Sequence, residues 1–187
     1  MLAERDGYFG IERCCPVQGW STLSTPLFLE NSELGEIVEP ELVDVAYRFN
    51  SETQQWELID STYELNPLDA IFVHTTTLTK ARFLFNTEAP TLPPERELEV
   101  GWNFVGIAPP WTQCPPYYSC DMTRPITDIE ALGSIDCCYT KVFNTKLETC
   151  SGDWHYWLYN PEEENPPEMS VFVGYWVLVE EPCQEPC

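Results

Sequence analysis

Nine cysteines, Cys14, Cys15, Cys114, Cys120, Cys137, Cys138, Cys150, Cys183 and Cys187, are the side chains of this sequence with the most chemistry open to them. Thiols hold zinc, attack electrophiles or close disulfides, and spacing decides among these. Structural zinc is held by pairs of short Cys-x-x-Cys-type knuckles, and only Cys183 and Cys187 stand at about that separation. The doublets Cys14-Cys15 and Cys137-Cys138 chelate poorly on an extended strand, because neighbouring side chains point to opposite faces. With only His74 and His155 to share a metal, disulfides are the expected state, and neither a metal site nor a cofactor is expected. Cys114 and Cys120 flank Pro-Pro-Tyr-Tyr-Ser and are spaced to close a small loop. Cys137 or Cys138 is spaced to reach Cys150 across a hairpin, and Cys183 and Cys187 pair either with each other or with Cys14-Cys15. An odd total leaves at least one thiol free or bonded between chains, and so many disulfides point to an oxidising compartment.

Catalysis asks for a nucleophile beside a base, paired acids in a pocket, or a phosphate cradle. Neither G-x-S-x-G, nor G-x-G-x-x-G, nor a Walker lysine loop occurs, and the two histidines fall on strands at different ends of the chain's two halves. No catalytic residue is expected, and the protein reads as a non-enzyme. Its 31 acidic against 9 basic residues give a formal charge of −22, which repels phosphate backbones and excludes nucleic acid as a partner. The run Glu162, Glu163, Glu164 does not make a calcium site, because consecutive carboxylates diverge on an extended chain. No apolar run approaches the roughly 18 residues of a membrane helix, so membrane insertion is not expected. The first fifteen residues carry charges where a signal peptide has its apolar core, so a mature chain or another route to the outside is expected.

The elements that must position these groups come twice. Gly19-Trp20 opens an apolar run that ends at proline, and Gly101-Trp102 does the same. In each half there follow a short segment (Ile37-Val38, Ile129 to Leu132), a strand carrying Tyr47-Arg48-Phe49-Asn50 or Lys141-Val142-Phe143-Asn144, a polar turn, a Trp-bearing strand and a last apolar strand. "VDVAYRFN" and "QQWELI", with β-branched and aromatic residues about an Asn-Ser-Glu-Thr turn, predict a hairpin in which Trp56 and Leu58 point inward and Gln55 and Glu57 meet water. "SELGEIV" and "ITDIEALGSI" predict the only helices, both short; Thr127 or Asp128 would cap the second and Gly133 end it. The expected fold is all-β with minor short helices, as two tandem pseudo-repeated small β-sandwich or barrel-like modules packed together. The expected boundaries are an N-terminal extension at 1–18, a first module at 19–85, a proline-rich connector at 86–98, a second module at 99–182 with an insertion at 110–125, and a cysteine tail at 183–187. The glycines are expected to permit a tight entry or close approach, and Trp20 and Trp102 to anchor each module's core.

The succession Gly-Trp-Asn, apolar run and proline, Ile-x-x-Leu-x-x-Ile, Val-Phe-Asn, Trp-Tyr strand, Asn-Pro and Gly-Tyr-Trp-Val-Leu-Val resembles a β-rich module repeated in bacterial and archaeal surface and secreted proteins. The resemblance covers 101–180 closely and 19–85 more loosely, and departs where "DAIFVHT" replaces Gly-Tyr-Trp and at the cysteine-bearing insertion. It implies a non-enzymatic extracellular building block.

What one half has and the other lacks is not required by the fold. The insertion carries Trp111, Tyr117 and Tyr118, rigid aromatics of the kind recognition surfaces use. The strand "DWHYWLYN" is aromatic on both faces, with His155, Trp157 and Tyr159 alternating with Trp154, Tyr156 and Leu158. One face must be covered by the other module, the insertion or a partner. Asp153, His155 and Asn160 beside Trp157 and Tyr117 would suit a glycan. The expected function is a structural surface protein, a subunit of an extracellular or virion assembly such as a coat, filament or shell, whose partners are copies of itself or a larger protein assembly. The alternative is a glycan- or protein-binding adhesion module using the second module's aromatics. Either role is expected at the outside of a cell or virion.

Overall fold

The computed structural model describes residues 8–12, 19–77, 79–86, 94–108, 126, 131–132, 138–147, 154–159, 169 and 171–182. It is an antiparallel all-β protein. Two four-stranded sheets account for most of it. The first contains β2 (Gly19–Ser24), β3 (Val43–Asn50), β4 (Gln55–Ile59) and β5 (Ala70–Thr75); the second contains β7 (Gly101–Val105), β8 (Tyr139–Leu147), β9 (Trp154–Tyr159) and β10 (Tyr175–Val179). A short helix, α1 (Leu34–Ile37), and a 3-10 turn at Pro40–Leu42 lead into β3. Of the second predicted helix, Ala131 and Leu132 are helical, while Thr127, Asp128 and Gly133 lie outside the described residues. Residues 94–98 of the connector have no regular structure.

The strand orders are β2-β5-β3-β4 and β7-β10-β8-β9. In chain order both sheets therefore follow one rule: the first and third strands form the edges, and the last enters between the first and second. The match extends to irregularities. Val43 pairs with Thr75 and Val45 with His74, so Asp44 is the extra residue of a bulge. Tyr139 pairs with Val179 and Lys141 with Leu178, so Thr140 is the extra residue at the matching place. The loops entering the two inserted strands match as well: Leu68 and Phe172 both adopt left-handed backbone, at φ 65° and 68°. That conformation is costly for large side chains.

Each sheet turns one face, mostly aliphatic, to the buried apolar cluster. Ala46, Ile71 and Val73 are buried in the same apolar cluster as Leu34, Ile37 and Val38, and Val142, Tyr175 and Val177 in the same cluster as Ile126, Leu132 and Met169. The cluster is continuous across both halves. The opposite faces are aromatic and meet each other, β2 lying against β8 and β3 against β7.

Three local expectations are corrected. Trp56 and Leu58 do stand on the aromatic face, but they are 47% and 69% exposed, because β4 is an edge strand that the second sheet covers only in part. Glu57, expected in water, keeps a 36% exposed side chain but commits it to an ion pair with Arg48. Trp20 and Trp102 are half-buried in the zone between sheets instead of anchoring separate cores. Two strands had no counterpart in the sequence pattern: β1 (Tyr8–Glu12) in the N-terminal stretch pairs with β6 (Lys80–Leu84) as a separate ribbon.

Candidate functional site

The sheets join along a seam of rings. Phe72 of β5 stacks on Phe104 of β7 at 4.8 Å and 23°. Trp176 of β10 meets Phe104 at 4.8 Å, Phe49 at 4.8 Å and Trp56 at 5.4 Å, the last two edge-on. Edge-to-face and offset pairs are the favoured geometries for rings, contributing about 0.5–1.5 kcal/mol each beyond buried area. The chain of contacts continues to Trp102 and Phe143 at one end and to Tyr47, Trp20 and His74 at the other.

Backbone bonds lock this seam at matching points. Gly106 N–H donates to the Leu68 carbonyl at 2.8 Å, and Ser24 N–H donates to the Phe172 carbonyl at 3.2 Å. The two left-handed residues thus each offer a carbonyl to the end of the other sheet's first strand. The close approach demands small residues. A Cβ on Gly106 would meet Ser24 Oγ at 1.6 Å, and one on Gly174 would meet Phe104 Cζ at 2.3 Å and Ala70 Cβ at 3.0 Å. Gly174 N–H also donates to Thr22 Oγ1 at 3.2 Å. Ser24 Oγ is buried there with no hydrogen-bond partner among the described residues.

Two side chains reinforce the joint. Gln54, left-handed at φ 55°, lays its amide along the edge of β7: Nε2 donates to the Trp102 carbonyl at 2.9 Å, and Oε1 accepts from Trp102 N–H at 2.9 Å. It occupies the position a neighbouring strand would take, which blunts that edge. Gly101, at φ 108°, is glycine for two reasons, its backbone and a Gln54 side chain 2.9 Å from where a Cβ would sit. Arg96 donates to Asp69 Oδ1 at 2.7 Å and to the Leu68 carbonyl at 3.0 Å, tying the segment before β7 to the first sheet. Asp69 also accepts from Asn66 and from the Tyr63 hydroxyl, and burial, then the Asp69 charge, pushes the Tyr63 phenol up.

Chemistry beyond packing is sparse. His74 Nδ1 lies 3.1 Å from Asp44 Oδ2, a pair created by the bulge, with the Trp20 ring 5.1 Å away. A histidine oriented by a carboxylate is two parts of a nucleophilic triad, and no Ser, Thr or Cys hydrogen-bonds the pair among the described residues. Arg48 Nε and Asn50 Nδ2 each donate to Glu57 at 2.6 Å; the Asn50 amide and then Arg48 hold the Glu57 carboxyl below its usual range. The bond to Glu57 is also the main cause that raises Arg48. This network braces the β3–β4 hairpin. Among the described residues no group of three or more His, Cys, Asp or Glu is arranged to hold a metal ion.

Of the binding residues expected from sequence, Trp111, Tyr117 and Tyr118 lie outside the described residues, as do Asp153, Asn160 and Glu162 to Glu164. His155, Trp157 and Tyr159 fall on β9, paired with Lys146, Asn144 and Val142; the intervening Leu158 pairs with Phe143. The alternation of β9 thus follows two register rows, one running through Val142 to Val177, the other through Phe143 to Trp176. Cys138 is buried and disulfide-bonded, and the other eight cysteines are outside the described residues. Sequence reasoning missed the Asp44–His74 pair and the role of Gln54. Both depend on strand register, and only the odd residue in the alternation of "LVDVAY" hinted at the bulge.

Fold and seam together define an antiparallel β protein whose two sheets are clamped face to face by rings and reciprocal backbone bonds. Set against protein-family models, curated proteins and solved structures, the chain matches none of them. Among the described residues no helix is long and apolar enough to cross a membrane.

Proposed function

We propose that this protein is a non-enzymatic structural unit of an assembly outside the cell, on a cell surface or in a virion, built from two copies of a β module by internal duplication. The observation that carries the reading is the reciprocal seam. The same strand order, the same bulge and the same left-handed residue recur in both halves, and each half supplies the bond the other lacks. That is the pattern of a two-fold interface between like units, now within one chain. A body joined by stacked rings on one side and backbone bonds on the other has little freedom to hinge, which suits a repeating block in a coat, filament or shell. The charge of −22 keeps such units apart until contacts form, and the Cys138 disulfide suits an oxidising environment.

Sedimentation of the native protein, with free thiols counted by alkylation and intact mass, tests the reading. Ordered self-association or co-purification in a large particle, with most cysteines closed, is the expected result. A monomer at all concentrations with nine free thiols overturns it. A second reading, adhesion through aromatics, is favoured by the 47% exposure of Trp56 beside Tyr47 and Phe49, rings able to take the flat face of a sugar. Glycan-array binding lost in Trp56→Ala would support it, and no binding by the native protein would end it.

A further inference from the structure

Where β3 and β4 part beyond the Ala46–Ile59 pair, a cavity of about 290 Å³ opens between α1, the 3-10 turn, the start of β3 and the end of β4. Its walls include Leu34, Val38, Val43, Ala46 and Ile59, the first two and Ala46 being buried. Its polar lining includes Asp44 and Asp60, both exposed, and among the described residues no Lys or Arg lines it. Asp60 Oδ1 accepts from Thr62 N–H at 2.9 Å and from the Thr62 hydroxyl at 2.7 Å, neither bond engaging Oδ2. Asp44 turns Oδ2 to His74, with Nδ1 3.1 Å away. The nearest cation on these strands, Arg48, is committed to Glu57.

Apolar walls with carboxylates at the mouth fit one kind of guest, an aliphatic stem ending in a cation. We propose that this cavity receives an arginine side chain presented by a protein partner, its methylenes against the aliphatic wall and its guanidinium met by Asp44 and Asp60. Arginine suits the site better than lysine, because its fork bonds carboxylates in two directions and sheds water more readily. The volume has room for one long side chain and stands at the lower limit of the roughly 300–1,000 Å³ of pockets that enclose drug-sized ligands. The charge of −22 would steer a basic partner to the surface, and the cavity would fix where it docks. The inference stands apart from self-association, since any chain bearing an accessible arginine could supply the guest.

The test titrates full-length ¹⁵N-labelled protein with N-acetyl-arginine amide, with its uncharged isostere N-acetyl-citrulline amide, and with the peptide acetyl-Gly-Gly-Arg-Gly-Gly-amide. Saturable shifts at the amides of Gly35, Ala46 and Ser61 are expected for both arginine ligands, at least fivefold weaker with citrulline and in Asp44→Asn/Asp60→Asn. Both aspartates are exposed, and each single variant reports if the double one unfolds. Equal binding of citrulline, shifts that never saturate, or affinity unchanged in the variants would overturn the site. Binding of the amino-acid derivative with exclusion of the peptide would overturn the protein-partner assignment.

Discussion

Gly174 is the tightest point at which a ring pins the two sheets. Replacing it with alanine would place a methyl 2.3 Å from Phe104 Cζ, 2.7 Å from Cε2 and 3.0 Å from the Ala70 methyl. Carbon atoms prefer about 3.5–4.0 Å, so more than an ångström must be found. Phe104 is fully buried and held between Phe72 and Trp176, both at 4.8 Å, so its ring has nowhere to go without parting the seam. Overpacking of this kind costs about 1–3 kcal/mol, and the rigidity here favours the upper end, about 3 kcal/mol. For a chain of this size that is a fall in Tm of roughly 6–12 °C. Calorimetry and urea unfolding of Gly174→Ala measure it, and Phe104→Leu in the same background, which removes the offending ring atoms, should make the loss less than additive. A shift under about 2 °C, or strict additivity, would mean that the sheets do not approach this closely in solution.

Other outcomes follow from the same geometry. Gln54→Ala removes both bonds to the Trp102 backbone and should cost about 1 kcal/mol, with faster exchange of the Trp102 amide; Gln54→Gly, free of the left-handed strain, should cost less. Ser24→Ala deletes a buried hydroxyl that has no partner among the described residues and should leave stability unchanged or raise it by up to about 1 kcal/mol. Glu57 and Asp60 have folded pKa values below their ordinary ones, held there chiefly by Asn50 and by Thr62, so their contribution is full above the unfolded value and is lost as pH falls through the folded one. The urea midpoint should therefore drop as pH falls below about 5, and Glu57→Gln should flatten that drop.

The strands on which the halves agree were legible because each announces itself locally: "VDVAYRFN" and "QWELI" alternate about a turn, and the last strands are apolar enough to be central. The all-β class follows from these. What local pattern does not carry is which strand lies beside which. The placing of β5 and β10 inside their sheets, the ribbon of β1 with β6, and the choice of β4 as an edge all rest on pairings distant in sequence. The outward Leu58 was misjudged for that reason: alternation gives its face correctly but says nothing about how far the opposite sheet extends. The candidate site was less legible still. Asp44 reaches His74 only because a bulge breaks the period. The left-handed backbone at Leu68 and Phe172 carries no glycine to signal it.

The insertion of β5 and β10 as central strands bears on how the chain is made. Each sheet has a vacancy between its first two strands until its fourth arrives, and during synthesis β10 is the last of the described strands to arrive. Two vacancies of the same shape in one nascent polypeptide invite exchange, the wrong strand threading the wrong slot, as happens in repeat proteins that misassemble. The differences at the seam act as keys against it. Phe104 leaves room for Gly174 but no bulkier residue, whereas the matching corner of the first sheet has Thr22, whose hydroxyl takes the Gly174 amide, and Ala70. The differences between the halves then serve fidelity in folding, and a chain whose two halves were made identical should fold more slowly and aggregate more, though it could still form the two reciprocal backbone bonds of the seam.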